Sequence, residues 1–166
     1  MSWYKQANTQ QVIDKIKYTL KESPFIQELM SSYDIPLTDI DNNLDIEIKE
    51  LDGKFAEGNG VKIVIDPKLF DEDDFFENQF HFVVHEIFHW IKRRSEDKFY
   101  FNDEEEGQSF VLAIMWELMH GKTKKDVYRS IFPIVAVHFD DSKSAKKTFD
   151  EMCEKACKLV DMHNNE

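Results

Sequence analysis

Five consecutive residues, His85-Glu86-Ile87-Phe88-His89, have the types and the spacing that metal-assisted hydrolysis needs. Residues four apart on a helix lie one above the other, so His85 and His89 can present two imidazole nitrogens to one metal ion. Glu86 follows the first histidine by one position, about 100° round the helix. It is thereby displaced from the ligand pair but close enough to take a proton from a metal-bound water as a general base. The surrounding run, Phe80 to Ile91, is apolar on nearly every face, as in a helix buried on most sides. Two imidazoles and a carboxylate in such a helix are costly to desolvate without partners, and a zinc ion with its water would satisfy all three. The competing reading is a structural cluster of the same residues without metal.

A zinc ion held by two histidines and a water still lacks a protein ligand. The acidic run Asp103-Glu104-Glu105-Glu106 opens the next predicted helix, and Glu106 is the preferred candidate. On a helical wheel it shares a side with Phe110, Ala113 and Glu117, so its carboxylate points along an otherwise buried face, where an unpaired charge would be unfavourable. Glu104, Glu105 and Glu117 are rivals, His120 is a further alternative, and the acidic run read alone is a solvated helix start.

Composition sets the frame for this chemistry. The chain has 166 residues, 42% of them hydrophobic, with 14 Phe, which suits one domain spanning 1–166 with a sizeable core. A formal charge of −12 repels phosphate backbones and anionic lipid, so nucleic acid and membrane surfaces are not expected partners; a neutral or basic protein or peptide is. The start, Met-Ser-Trp-Tyr-Lys-Gln-Ala-Asn, has no apolar run of signal-peptide length, and no segment approaches the ~20 apolar residues of a membrane span. A cytoplasmic location is therefore expected. Cys153 and Cys157 lie four apart in a helical pattern and read as half-buried reduced thiols.

The elements that must position the site are legible from periodicity. Thr9 caps a helix to about Lys21 with the stripe Val12, Ile13, Ile16, Leu20, and Ser23-Pro24 starts a second. Tyr33 to Asn43 reads as a loop. Leu44, Ile46 and Ile48 alternate with polar residues as a strand; Asp52-Gly53 signals a hairpin, Lys54 to Ala56 a return strand, and Val61 to Ile65 a third strand after the turn Gly58-Asn59-Gly60. The expected sheet is a small antiparallel meander. The metal helix is expected from about Glu77 to Arg93, and the next from Asp103 to about His120, with Gly121 closing it. A further helix starts at Thr123 or Lys124 and is interrupted near Pro133; a last amphipathic one starts at Ser142 or Ser144. The fold class is α+β, with the meander on a mainly helical body around a central metal-binding helix.

This pattern resembles the gluzincin metallopeptidases in their reduced single-domain form, the minigluzincins. The run Glu106-Gly107-Gln108-Ser109-Phe110-Val111 is similar to the Glu-Ala-Asn-x-Phe-Ala stretch of the ImmA/IrrE-type metallopeptidases, whose first glutamate is the third zinc ligand. The resemblance runs from about Leu44 to Met119 and implies a zincin-like fold, zinc ligands His85, His89 and Glu106, and Glu86 as general base. Gly107 and Gln108 depart from the family's Ala-Asn, its Leu-Met-Pro helix end is absent, and no helix-turn-helix is evident. The function implied is a zinc-dependent endopeptidase acting on a protein or peptide. The alternative is a zincin fold kept as a non-catalytic binding or structural module. Gluzincins add a Tyr or His as second electrophile, for which Tyr100, Tyr128, His120 and His138 are candidates; His138 also reads as a packed histidine. His81, one turn before His85 on the same face, reads as lining the cleft or supporting a ligand, or else as a surface residue.

Overall fold

The computed structural model of the chain describes residues 8–58, 61–70, 76, 79–95 and 103–164, the side chains of residues 95, 103, 104, 163 and 164 excepted. Seven helices and three strands lie among the described residues: α1 (Thr9–Glu22), α2 (Pro24–Ser32), α3 (Thr38–Asn43), β1 (Asp45–Ile48), β2 (Ala56–Gly58), β3 (Lys62–Ile65), α4 (His81–Ser95), α5 (Asp103–Met119), α6 (Lys124–Ala136) and α7 (Ser142–Asn164). A 3-10 turn, Pro67–Phe70, follows β3. The fold is α+β and mostly helical. It divides into two compact units, Met1–Tyr100 and Phe101–Glu166.

In the first unit the sequence signals for α1 and α2 act as read, with one shift. The N-cap of α1 is Asn8, whose side chain accepts from the Gln11 amide while Gln11 reaches back to the Asn8 amide. This reciprocal box satisfies two amide donors, which Thr9 from inside the first turn does not do. Ser23 caps α2 ahead of Pro24, accepting from the Ile26 amide at 3.3 Å. The expected loop from Tyr33 to Asn43 contains a short helix, α3, because Ile40 is fully buried and anchors one turn of otherwise polar chain. Asp39 and Asp41 on that turn take Arg94 of α4 and Lys21 of α1, each at 2.9 Å.

The sheet is not an antiparallel meander. Its strand order is β1-β3-β2, with β1 parallel to β3 and β2 antiparallel to it. The physical reason lies in β3, whose run Ile63, Val64, Ile65 is buried throughout, as suits a central strand. β1, in which only Ile46 is buried, takes the edge. Asp52-Gly53 does turn, with Gly53 at φ 72°, but the return strand forms at Ala56–Gly58 and pairs past β1 onto β3. Asp66, directly after β3, is fully buried, and its carboxylate accepts from the amides of Leu51 and Lys68, each at 2.8 Å. It thereby clamps the β1–β2 connection to the end of β3.

α4 packs on β2 and β3 within this unit. Val83, Val84, Ile87, Phe88, Trp90 and Ile91 are all buried, so the helix is enclosed on most sides, as its composition implied. Its observed start is His81; Glu77, where the helix was expected to begin, lies outside the described residues, as do residues 96–102.

In the second unit α5 packs on α6 and α7, and α6 on α7. Phe110, Val111, Ala113, Ile114, Met115 and Trp116 are buried, while Leu118 is half-buried. Gly121, at φ 85°, ends the helix in the left-handed conformation that favours glycine. Thr123 and Asp126 form a capping box that starts α6. That helix is not interrupted at Pro133 and continues to Ala136. Proline there removes one backbone hydrogen bond, but Val127, Ile131 and Val135 form a continuous buried stripe that holds both halves in line. On α7 Cys153 is buried and Cys157 half-buried, both free; burial, then the neighbouring Cys157, pushes the Cys153 thiol up to about 11.

Glu117, near the end of α5, is 3% exposed, and one of its carboxyl oxygens has no hydrogen-bond partner among the described residues. Burial pushes its carboxyl up to about 7, with Lys122 opposing and Asp126 adding to the shift. The folded state then keeps a proton that the unfolded chain gives up near its ordinary value of 4.5. The stability this contributes is fully present below pH 4.5, is lost as pH rises through about 7, and is absent above. Denaturant unfolding between pH 4.5 and 8 should show wild type losing on the order of 2–3 kcal/mol relative to Glu117→Gln. Parallel pH profiles for the two proteins would contradict the assignment.

Candidate metal centre

His85 and His89 lie one turn apart on α4 with ring centroids 5.2 Å apart and planes at 74°, the arrangement expected of an i, i+4 pair. His89 is buried and His85 half-buried. One ligand atom each from His85, His89 and Glu106 lie within 4.8 Å of one another, and among the described residues this is the one such group able to hold a metal ion. Two imidazoles and a carboxylate are a donor set that suits zinc, so the residues present fit the ion. Glu106, half-buried, sits in the first turns of α5 ahead of the buried Phe110, on the face the helical wheel gave it.

The rivals whose side chains are described lie outside this group. Glu105 and Glu117 are buried but outside the ligand group, and the side chain of Glu104 lies outside the described residues. His120 is exposed, stacks on Trp116 at 4.2 Å and has Nδ1 2.7 Å from the Trp116 carbonyl oxygen.

Glu86 is half-buried on α4 and faces β2. A Cβ added to Gly58 would overlap its Oε2 and lie 3.4 Å from its Cδ. The base proposed from sequence is thus set against a strand backbone, a contact the sequence did not announce because Gly58 read only as part of a turn.

His81 is 2% exposed, so it is not a surface residue. Its Nε2 has no hydrogen-bond partner among the described residues, and burial, then the nearby His85, lowers its pKa to about 3. It therefore remains a neutral imidazole one turn before the ligand pair. His138 places Nε2 3.9 Å from Oε2 of Glu106 and packs edge-on to Phe110 at 5.7 Å. The packed-histidine reading accounts for the Phe110 contact, but the side chain is about half exposed and beside a candidate ligand. Tyr128 stacks on Phe132 and meets Phe149 edge-on within the second unit, while Tyr100 lies outside the described residues.

Comparisons of the chain with protein-family models, with curated proteins and with solved structures gave no match. The reading of this site therefore rests on its own residues. No described helix is long and apolar enough to cross a membrane.

Proposed function

We propose that the chain is a zinc-dependent endopeptidase of gluzincin type, acting on protein or peptide substrates with Glu86 as general base. The observation that carries this reading is the convergence of His85, His89 and Glu106 ligand atoms within 4.8 Å. When bound in such a donor set, zinc supplies Lewis acidity and brings the pKa of a coordinated water toward neutrality.

The chain's own residues supply the rest. Glu86, next to the ligand pair on α4, takes the proton from the attacking water and later passes it to the leaving amine. A separate Glu86 is what chemistry requires and a purely structural metal site does not. His81, buried and neutral, lies one turn before His85 on α4. Among the described candidate electrophiles for a developing oxyanion, His138 is the one that lies beside Glu106.

β2 is an outer strand of the sheet and lies against α4. An extended peptide adding to this edge would be held mainly by backbone hydrogen bonds, which makes side-chain preference modest. The charge of −12 favours neutral or basic substrates.

The test is a cleavage panel of neutral and basic polypeptides with the zinc-loaded protein. Cleavage should occur, stop with a chelator and return with added zinc. Zinc-loaded protein that binds such peptides but cuts none would replace the enzyme reading by that of a zincin-fold binding module.

A further inference from the structure

Among the described glycines, two have simple explanations. Gly53 and Gly121 adopt positive φ, at 72° and 85°, and each has open space where a Cβ would stand. Gly107, on α5, has neither a positive φ nor a neighbour within 4 Å of such a Cβ. Gly58 is the opposite case. Its backbone conformation is one that any residue adopts, it sits in β2 paired with Ile63, and the three atoms nearest to an added Cβ all belong to Glu86. Glycine interrupts a strand at a cost in stability, so a glycine in such a place has a reason, and here the neighbour supplies it.

We propose that Gly58 is a positioning residue for Glu86: the strand leaves out a side chain at this point so that the carboxylate of the base can lie against the β2 backbone. The inference rests on the reading of Glu86 as general base. A methyl group at position 58 would overlap Oε2, while Cδ and Cβ of Glu86, at 3.4 and 3.5 Å, would stay in ordinary contact. Only the far end of a flexible side chain is in the way. The carboxylate would swing aside by about 1 Å to restore contact distance, at little cost in stability. The cost falls on function, because a base displaced by that amount loses about 10²-fold in rate.

The consequence separates a positioning role from a structural one. Gly58→Ala should leave zinc content unchanged and hold or raise the melting temperature, since alanine has less conformational freedom to lose on folding. Its kcat should fall about 10²-fold with KM within about twofold. Glu86→Asp draws the carboxylate back by one methylene, so adding Gly58→Ala in that background should cost no further activity. Losses that multiply in the double variant would overturn the proposal, as would a Gly58→Ala protein that melts lower and loses zinc.

The crystal structure of zinc-loaded Gly58→Ala decides the same question without an assay. The expected result is a displaced Glu86 carboxylate with the Gly58–Ile63 pairing position of β2 and β3 unmoved. A carboxylate in place beside a shifted strand would refute the proposal. If the wild type cuts no substrate at all, the peptidase reading fails on that observation, and the crystal structure still decides whether Gly58 sets the position of Glu86.

Discussion

Glu86→Gln is expected to retain zinc and to bind peptide like the wild type, while kcat falls by about 10²–10⁴-fold. Glutamine has the length and shape of glutamate and fits the same space against Gly58, so the substitution removes the proton acceptor and little else. Glu86 is not among the three residues whose ligand atoms converge, so metal content should not change. Calorimetry with a bound peptide, run beside a cleavage assay, separates the two effects. An interaction needed only in the chemical step lowers kcat and leaves binding intact. Cleavage by Glu86→Gln at the wild-type rate would remove the base from the mechanism.

Glu106→Ala should lose the metal. Of the three converging donors it is the one carboxylate, and its removal leaves His85 and His89 to hold the ion with water alone. Zinc affinity, measured by competition with a chromophoric chelator, should fall by about 10²-fold or more. The thermal stabilisation by added zinc follows affinity: a ligand at 100 times its Kd adds about 2.7 kcal/mol, and Glu106→Ala should forfeit most of it. Glu105→Ala and Glu117→Ala should bind zinc as the wild type does, because neither residue belongs to the ligand group. Wild-type affinity in Glu106→Ala with loss in one of the others would transfer the third position to that residue.

How far the chain could be read from its sequence depended on how local each signal was. The His85, His89 pair was fully legible, because one helical turn fixes both residues and the apolar run around them announces a buried helix. The cap at Ser23 was legible for the same reason, being a short-range hydrogen bond, whereas the next helix start was read only as Thr123 or Lys124, and the capping box places the cap at Thr123. Glu106 came from a wheel and from resemblance, and its placement beside the histidines needed the tertiary structure.

The sheet shows where local reading stops. Asp52-Gly53 does turn the chain, but which strand pairs with which is decided by burial competition among three strands, and β3 wins the centre through Ile63, Val64 and Ile65. A turn signal cannot carry that information. The helix at Thr38–Asn43 was hidden because its one apolar residue, Ile40, shows no periodicity alone. Gly58 facing Glu86, and His138 beside Glu106, are contacts between elements far apart in the chain. Nothing at the positions themselves announces them, except that a glycine within a strand asks for a neighbour.

The zinc stoichiometry of the purified protein tests the central claim most directly. Elemental analysis after dialysis against buffered zinc should give one ion per chain in the wild type, and close to none in the His85→Ala, His89→Ala and Glu106→Ala variants, each shown to be folded by circular dichroism. A wild-type chain that stays free of zinc under those conditions, or variants that hold it as well as the wild type, would contradict the account.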